Sequence, residues 1–125
     1  MNRAAVLIPH FNNLAGLRAS LASIDAEDPA DIYVVDDGSP TPPTDDQVAA
    51  AVPGMRRVTV LALDNNVGIE GALNAGLDRI IADGYEYIAR LDCGDRNVGR
   101  RFATQIAYLD AHPQILLLGG AAQFV

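Results

Sequence analysis

Apolar and polar residues alternate along the chain with two different periods. Five short apolar runs have the length of buried strands, and each is followed by a polar or glycine-containing turn. These predicted strands are Ala4 to Ile8, Ile32 to Val35, Val58 to Leu63, Tyr87 to Leu91 and Ile115 to Leu118. Between them, apolar residues recur every three or four positions, as they do in helices with one buried face.

Four helices are predicted from the longer period. The three larger apolar faces consist of Leu14, Leu17, Leu21 and Ile24; of Ile69, Ala72, Leu73, Gly76, Leu77 and Ile80; and of Val98, Phe102, Ile106 and Leu109. A shorter helix is expected from Asp45 to Val52, and Asn12 or Asn13 can cap the first helix. The alternation of strands and helices predicts an α/β fold, with a mainly parallel, Rossmann-like sheet and helices on both of its faces.

Length and composition bound the class of protein. The chain has 125 residues, enough for one compact domain and too few for two. No apolar run approaches the roughly 20 residues that span a bilayer, and no signal peptide precedes the first strand. Cys93, the single cysteine, cannot form an intramolecular disulfide. We therefore expect a protein of the cytoplasm, or of the cytoplasmic face of the membrane, without a membrane span in this chain.

The charge balance excludes several functions. The formal net charge is −7 and all nine cationic side chains are arginines. An acidic surface repels nucleic acid, so no nucleic-acid partner is expected. Without lysine, a Walker-type phosphate loop, a Schiff base and a lysine-assisted phospho-receiver site are excluded. Any phosphate bound here would need helix N-termini, arginine or a metal ion as its positive partner.

Polar residues follow four of the predicted strands at the same relative position. These turns contain Asn12, Asp36 and Asp37, Asn66, and Asp92, respectively. In a parallel sheet all four turns lie at the carboxyl edge, where open α/β sheets bind their ligands. The repetition therefore predicts a single ligand site assembled from four turns.

The same segments resemble family 2 glycosyltransferases. Val6 to Asn12 is similar to the opening strand and turn of that family, and Tyr33 to Ser39, with its Asp36-Asp37-Gly38-Ser39 end, is similar to the second-strand signature. Asn66-Val67-Gly68 resembles the third turn and Ala89 to Asp95 the metal-binding segment. The resemblance implies that residues 1–125 are a single nucleotide-sugar-binding domain, the nucleotide-binding half of a GT-A fold, ending before the acceptor-binding part.

The resemblance also implies a set of site residues. The implied nucleotide-binding residues are Pro9, Phe11, Asn12, Asp36, Asp37, Asn66, Gly68 and Asp92. Pro9, Phe11 and Asn12 would line the base and ribose pocket. Asp37 would accept a hydrogen bond from a pyrimidine, and Gly68 would let the backbone approach the ligand. Phe11 could instead belong to the core, and Asn66 with Gly68 could simply start a helix.

A divalent cation completes the implied site. Asp92 and Asp95 are the implied ligands of Mg²⁺ or Mn²⁺, because a diphosphate approaches carboxylates only when a hard cation bridges them. The chain departs from the family at Gly94, where an aspartate is usual, so Asp95 lies one position from the expected ligand. The catalytic base of the family is expected beyond residue 125, and we expect this fragment to be inactive alone.

The function implied is transfer of a sugar from a UDP- or dTDP-type nucleoside-diphosphate sugar to a glycan or lipid-linked acceptor. A non-catalytic nucleotide-binding or interaction module of the same fold is the alternative, because fold does not fix function. A phospho-receiver-like domain is the second alternative, and the absence of lysine argues against it. His10 is interpreted as a polar turn residue and not as a catalytic base.

Overall fold

Four strands and four helices alternate in the computed structural model, which describes residues 1–120. The strands are β1 (Ala4–His10), β2 (Ala30–Asp36), β3 (Val58–Ala62) and β4 (Tyr87–Arg90). The helices are α1 (Leu14–Ala22), α2 (Asp45–Ala51), α3 (Gly68–Ala82) and α4 (Arg101–Ala111). Asn13, one of the two predicted candidates, caps α1 by accepting a hydrogen bond from the Gly16 N–H.

All strand pairs of the sheet are parallel, and the strand order is β3-β2-β1-β4. Ala4 at the start of β1 lies opposite Ala30 of β2 and Tyr87 of β4. Strands β1 and β2 are buried along their whole length, which agrees with their continuous apolar sequence. The predicted parallel sheet is therefore confirmed.

Helices cover both faces of the sheet, as predicted. Alternate residues of the two central strands point to opposite faces. On one face Val6 and Ile8 pack with Leu17 of α1, Val48 of α2 and Phe102 of α4. On the other face the same period places residues of β1 and β2 against α3: Ala5, Leu7, Tyr33 and Val35 with Ala72 and Ile80. The three-layer arrangement follows from a period of two in the strands and 3.6 in the helices.

Helix α3 lies unusually close to the sheet at Gly76. A Cβ atom at this position would lie 2.3 Å from Leu7 Cδ1 and 2.8 Å from Val35 Cγ2. The close approach lets the helix pack directly on the two central strands. The N-terminal end of α3 is thereby held at the carboxyl edge of β2 and β3.

Five details of the sequence-based prediction are wrong. Leu14, expected on the buried face of α1, is 37% exposed, and His10, expected in a turn, is the buried last residue of β1. Ile115 to Leu118 forms no strand, and Leu116 and Leu117 are 94% and 90% exposed. An apolar run becomes a strand only when a neighbouring strand supplies hydrogen bonds, and none does so within the described part of the chain. Val98 precedes α4 and is exposed, and Ile69 is exposed on α3 because it lies at the helix start, beyond the strand ends.

Among residues 1–120, no helix is both long enough and apolar enough to cross a membrane.

Candidate functional site

The four polar turns lie at one edge of the sheet. Because β1, β2, β3 and β4 run in parallel, Asn12, Asp37, Asn66 and Asp92 all follow strand ends on the carboxyl side. The expected convergence of the turns is therefore present in the fold. The turns differ in how far their side chains are already engaged with the protein.

The end of β1 is joined to the end of β2 by a buried hydrogen-bond network. His10 and Asp36, which are paired in register, are 3% and 0% exposed, and His10 Nδ1 lies 2.7 Å from Asp36 Oδ1. The Ser39 hydroxyl donates to the same Asp36 oxygen at 2.7 Å, and the Ser39 N–H donates to Asp36 Oδ2 at 2.9 Å. The Asp36 carboxylate therefore accepts three hydrogen bonds from the protein and is directed inward.

This network also fixes the backbone that follows β1. The N–H of Asn12 donates to the Ser39 hydroxyl at 2.8 Å, and the N–H of Asn13 donates to His10 Nε2 at 3.1 Å. Asn12 has a φ of +46°, an uncommon value for a residue other than glycine. We name the group His10, Asp36 and Ser39 the edge triad.

Asp37 connects the β2 turn to the start of α3. Its N–H donates to the His10 carbonyl at 2.8 Å, and its carboxylate accepts from the N–H groups of Val67 (2.7 Å) and Gly68 (3.0 Å). The Asn66 side-chain amide donates to the Asp37 carbonyl at 3.1 Å. Asp37 therefore caps α3 from a distant part of the sequence, placing a negative charge where the helix dipole favours it.

Gly38 allows the β2 and β3 turns to touch. It has a φ of +80°, and a Cβ atom here would lie 2.6 Å from the Asn66 nitrogen and 2.7 Å from the Asn65 carbonyl carbon. Any larger residue would be strained by its backbone angle and would separate the two turns. Glycine at this position therefore permits both the positive φ and the close contact between the two turns.

The residues expected to contact the base and ribose differ in their exposure to solvent. Pro9 lies within β1, opposite Val35, and is buried. Phe11 is 50% exposed and Asn12 is also exposed, so Phe11 is not a core residue. A cavity of about 290 Å³ lies beside His10, between the start of α1 and the loop at Thr41.

The turn after β4 is held by α1 through its backbone, and its carboxylates remain outside. The Ser20 hydroxyl of α1 donates to the Asp95 carbonyl at 2.7 Å and accepts from the Gly94 N–H at 2.8 Å. The Asp92 carboxylate pairs with Arg90 at 2.7 Å, and the two side chains are 46% and 54% exposed. Asp95 is exposed. The turn therefore has a fixed path and accessible acidic side chains.

Cys93 lies in the same turn and does not act as a charged group. Its Sγ lies 3.5 Å from the Asn13 carbonyl oxygen, and burial raises the pKa of the thiol. A neutral, partly buried thiol is a packing residue. Its hydrogen-bond partner among residues 1–120 is a backbone carbonyl, which does not activate a nucleophile.

Within residues 1–120, no group of three or more His, Cys, Asp or Glu side chains has the arrangement of a metal site. Asp92 and Asp95 belong to one short turn, whose closing bond runs from the Asp95 N–H to the Asp92 carbonyl at 2.9 Å. Two exposed carboxylates are suitable oxygen ligands for a hard cation, but they fill only part of its coordination shell. The remaining ligands would have to come from the bound molecule, water or residues outside those described.

Two structural residues escaped the sequence analysis. Asp28, 2% exposed, caps α4 by accepting from the N–H groups of Phe102 (3.0 Å) and Ala103 (2.7 Å). Ser20 of α1 is the second, because its hydroxyl holds the turn after β4. No local pattern identifies either of them, because their partners lie more than 70 residues away. The role of His10 could have been found by aligning β1 with β2, since that register sets it opposite Asp36.

Comparison with known proteins connects this geometry to a family. Residues 5–123 match the family model described as Glycosyl transferase family 2. The amylovoran biosynthesis glycosyltransferase AmsE of Erwinia amylovora is 38% identical over 64 residues, which are 51% of this chain and 23% of AmsE. The succinoglycan biosynthesis protein ExoW of Rhizobium meliloti (strain 1021) is 38% identical over 98 residues, 76% of this chain and 30% of ExoW. The chain thus spans less than a third of either relative.

Crystal structures of S. aureus TarS have a similar fold. TarS 1-349 superposes with a TM-score of 0.70 at 20% identity, covering 90% of this chain and 33% of that one. TarS 1-349 in complex with UDP superposes with a TM-score of 0.63 at 19% identity and the same coverage. The similarity confirms the Rossmann-like, GT-A type of fold.

Proposed function

The chain belongs to glycosyl transferase family 2, and from this membership we propose that it binds a nucleoside-diphosphate sugar at the carboxyl edge of its sheet. The sugar is transferred to a glycan or lipid-linked acceptor by the protein of which this domain forms the donor-binding part. The convergence of four polar turns at one edge carries the proposal. Open α/β sheets bind ligands at that edge.

Two comparisons support the nature of the donor and acceptor. A TarS structure of the same fold contains UDP, which favours a uridine nucleotide as the donor here. AmsE and ExoW are named for the biosynthesis of amylovoran and succinoglycan, which favours a growing polysaccharide as the acceptor.

The contacts of the residues at the edge divide their roles. Phe11 and Asn12 are exposed, so we assign them direct contact with the base and ribose. Asp37 already accepts one N–H on each carboxylate oxygen, and each oxygen retains a lone pair for a pyrimidine N–H. Asp36 is buried and already accepts three hydrogen bonds from the protein, so we assign it the role of shaping the turn.

Pro9, Asn66 and Gly68 shape the site without contacting the ligand in this proposal. Pro9 is buried in β1, Asn66 bonds to the Asp37 carbonyl, and the Gly68 N–H bonds to the Asp37 carboxylate. These residues hold the β1 and β3 turns in position beside the proposed ligand at the carboxyl edge. They provide a preorganised site, which reduces the ordering needed on binding.

The diphosphate requires a cation at the β4 turn. Two unit charges about 4 Å apart repel by roughly 4 kcal/mol at an effective dielectric near 20, so a diphosphate beside Asp92 and Asp95 is strongly disfavoured alone. The chain has no lysine, and Arg90 is already paired with Asp92. We propose that Asp92 and Asp95 would contribute oxygen ligands to Mg²⁺ or Mn²⁺, which would supply the positive charge that offsets the diphosphate.

Calorimetric titration of the chain with UDP and with uridine tests the proposal, each ligand measured with Mn²⁺ and with a chelator. We expect Mn²⁺ to strengthen UDP binding by at least tenfold and uridine binding little, because only UDP carries phosphates. Asp95→Asn should remove most of the metal effect. Asp78→Asn, at an exposed position along α3, is the matched control.

Metal-independent affinity for UDP would contradict the assigned cation, and absence of binding by either ligand would contradict the nucleotide site itself. Binding of UDP without transfer by a longer form of the protein would favour a non-catalytic nucleotide-binding module.

A further inference from the structure

His10 is buried at the end of β1, and both of its ring nitrogens have defined partners. Nδ1 lies 2.7 Å from an Asp36 carboxylate oxygen, and Nε2 lies 3.1 Å from the Asn13 nitrogen. A backbone N–H can only donate, so Nε2 must be the acceptor and carries no proton. Nδ1 therefore carries the proton and donates it to Asp36. The geometry specifies one neutral tautomer.

The Asp36 carboxylate controls two successive backbone amides through this arrangement. One relay runs from Asp36 through the His10 ring to the Asn13 N–H. The other runs from Asp36 through the Ser39 hydroxyl to the Asn12 N–H. Since the serine proton is donated to Asp36, the serine oxygen is free to accept from Asn12. One buried carboxylate thus orients the turn that follows β1.

A catalytic role for His10 conflicts with its surroundings. The side chain is 2% exposed, and the Asn13 N–H occupies the nitrogen that a substrate would need to reach. The charged group facing the ring is Asp36 of β2. The other residues that line the cavity beside His10 come from the turn after β1, the start of α1, the loop after β2 and α2, and they are uncharged: Asn12, Asn13, Leu14, Thr41, Pro42, Pro43 and Gln47.

We propose that His10 is a positioning residue for the nucleotide site, acting in its neutral Nδ1–H form by orienting the Asn12–Asn13 backbone. This inference rests on the proposed function, in which Asn12 contacts the nucleotide. A side chain without an acceptor at the Nε2 position leaves the Asn13 N–H without its partner, so it releases the turn and weakens nucleotide binding.

Two substitutions separate the relays. His10→Asn retains a donor near the Nδ1 position and loses the acceptor for Asn13, whereas His10→Gln retains an acceptor near the Nε2 position and loses the donor to Asp36. We expect each to weaken uridine binding by about three- to tenfold, the effect of one net hydrogen bond. His112→Gln is the matched control, because His112 lies at the end of α4.

The experiment combines uridine titrations at neutral pH with nitrogen NMR of the imidazole rings of the unsubstituted chain. Uridine is the probe because it has no phosphates and therefore reports on the site without a metal ion. We expect the His10 ring of the unsubstituted chain to be an Nδ1–H, Nε2-acceptor tautomer, assigned against His112→Gln. We also expect the unsubstituted chain to bind uridine more tightly than both His10 variants, and His112→Gln to bind it as the unsubstituted chain does.

The outcomes distinguish this inference from the proposed function. No uridine or UDP binding by the unsubstituted chain would overturn the proposed function. Binding of uridine with unchanged affinity in both His10 variants would leave that function standing and overturn the positioning role. An Nε2–H tautomer in the unsubstituted chain would overturn it as well, even if both variants failed to fold.

Discussion

The carboxyl edge of this sheet has two halves that are built differently. In the turns after β1, β2 and β3, the acidic groups Asp36 and Asp37 are 0% and 6% exposed and accept hydrogen bonds from the protein. In the turn after β4, Asp95 is exposed, the Asp92 side chain is 46% exposed and paired with the surface Arg90, and α1 holds the backbone. The same residue type therefore organises one half and remains available to ligands in the other.

This difference indicates a division of labour within the proposed site. A rigid half can present a fixed shape to a base and ribose, whose recognition depends on placement of a few polar groups. An open acidic half can take up a hard cation together with a charged diphosphate. Mutations should accordingly affect stability in the first half and metal-dependent binding in the second.

The largest expected effect comes from removing the buried carboxylate. Asp36→Ala leaves the His10 ring, the Ser39 hydroxyl and the Ser39 N–H without their acceptor, which should lower the free energy of unfolding by about 3 kcal/mol or more. Urea denaturation measures this loss. Asp92→Ala is the matched control in the open half, where a surface ion pair contributes less than about 1 kcal/mol. Equal losses in the two variants would remove the contrast between the halves.

Gly38→Ala should have the next largest effect. The added methyl group meets the Asn66 nitrogen at 2.6 Å and imposes a strained backbone angle, which together should lower the free energy of unfolding by about 2–3 kcal/mol. Thermal unfolding measures the change, with Gly84→Ala as control, because Gly84 also has a positive φ and meets no atom within 4 Å. A smaller loss at Gly38 than at Gly84 would show that the turns do not need to touch.

Asp37→Asn tests whether Asp37, in the rigid half, both caps α3 and binds the nucleotide. An asparagine keeps one acceptor oxygen for the start of α3 and loses the other, so stability should fall by about 1 kcal/mol. Affinity for uridine should fall by a similar amount, since the amide offers fewer lone pairs to a pyrimidine N–H. Urea denaturation and calorimetry on the same sample measure both. Loss of stability with unchanged uridine affinity would restrict Asp37 to its capping role.

Ser20→Ala should have the smallest effect of the four. It removes the hydroxyl that holds the Gly94 N–H and the Asp95 carbonyl, both near the surface, so the free energy of unfolding should fall by about 1 kcal/mol or less. The Mn²⁺-dependent gain in UDP affinity should decrease more than uridine affinity does. An unchanged metal effect would mean that the turn keeps its path without α1.

The sequence predicts the parts of this molecule that depend on local periodicity. The period-two and period-3.6 patterns give the four strands, the four helices and the edge at which Asn12, Asp37, Asn66 and Asp92 lie. The hydrogen-bond partners of Asp36 and Asp37 were not predicted, because they depend on the register between β1 and β2 and on the approach of the third turn. The Asp-Asp-Gly-Ser motif alone does not distinguish the role of Asp36 from that of Asp37.

Long-range contacts explain the other failures. Asp28 caps a helix that starts more than 70 residues later, and no spacing rule connects them. The apolar run from Ile115 to Leu118 has strand composition, yet strand formation depends on a neighbour's backbone, and composition does not report whether that neighbour exists. Residue type thus predicts the tendency of a segment, and tertiary contacts decide its outcome.

The central claim is that a nucleoside diphosphate binds at the carboxyl edge, and amide NMR of the chain titrated with UDP and Mg²⁺ tests it most directly. We predict that the largest shifts fall in four segments, Phe11–Asn13, Asp37–Ser39, Val67–Gly68 and Asp92–Asp95. A second cavity, of about 380 Å³ and lined by Arg57, Arg79 and Tyr85 among others, lies near the start of β3, at the opposite edge. Chemical-shift changes confined to the residues of that cavity would contradict nucleotide binding at the carboxyl edge.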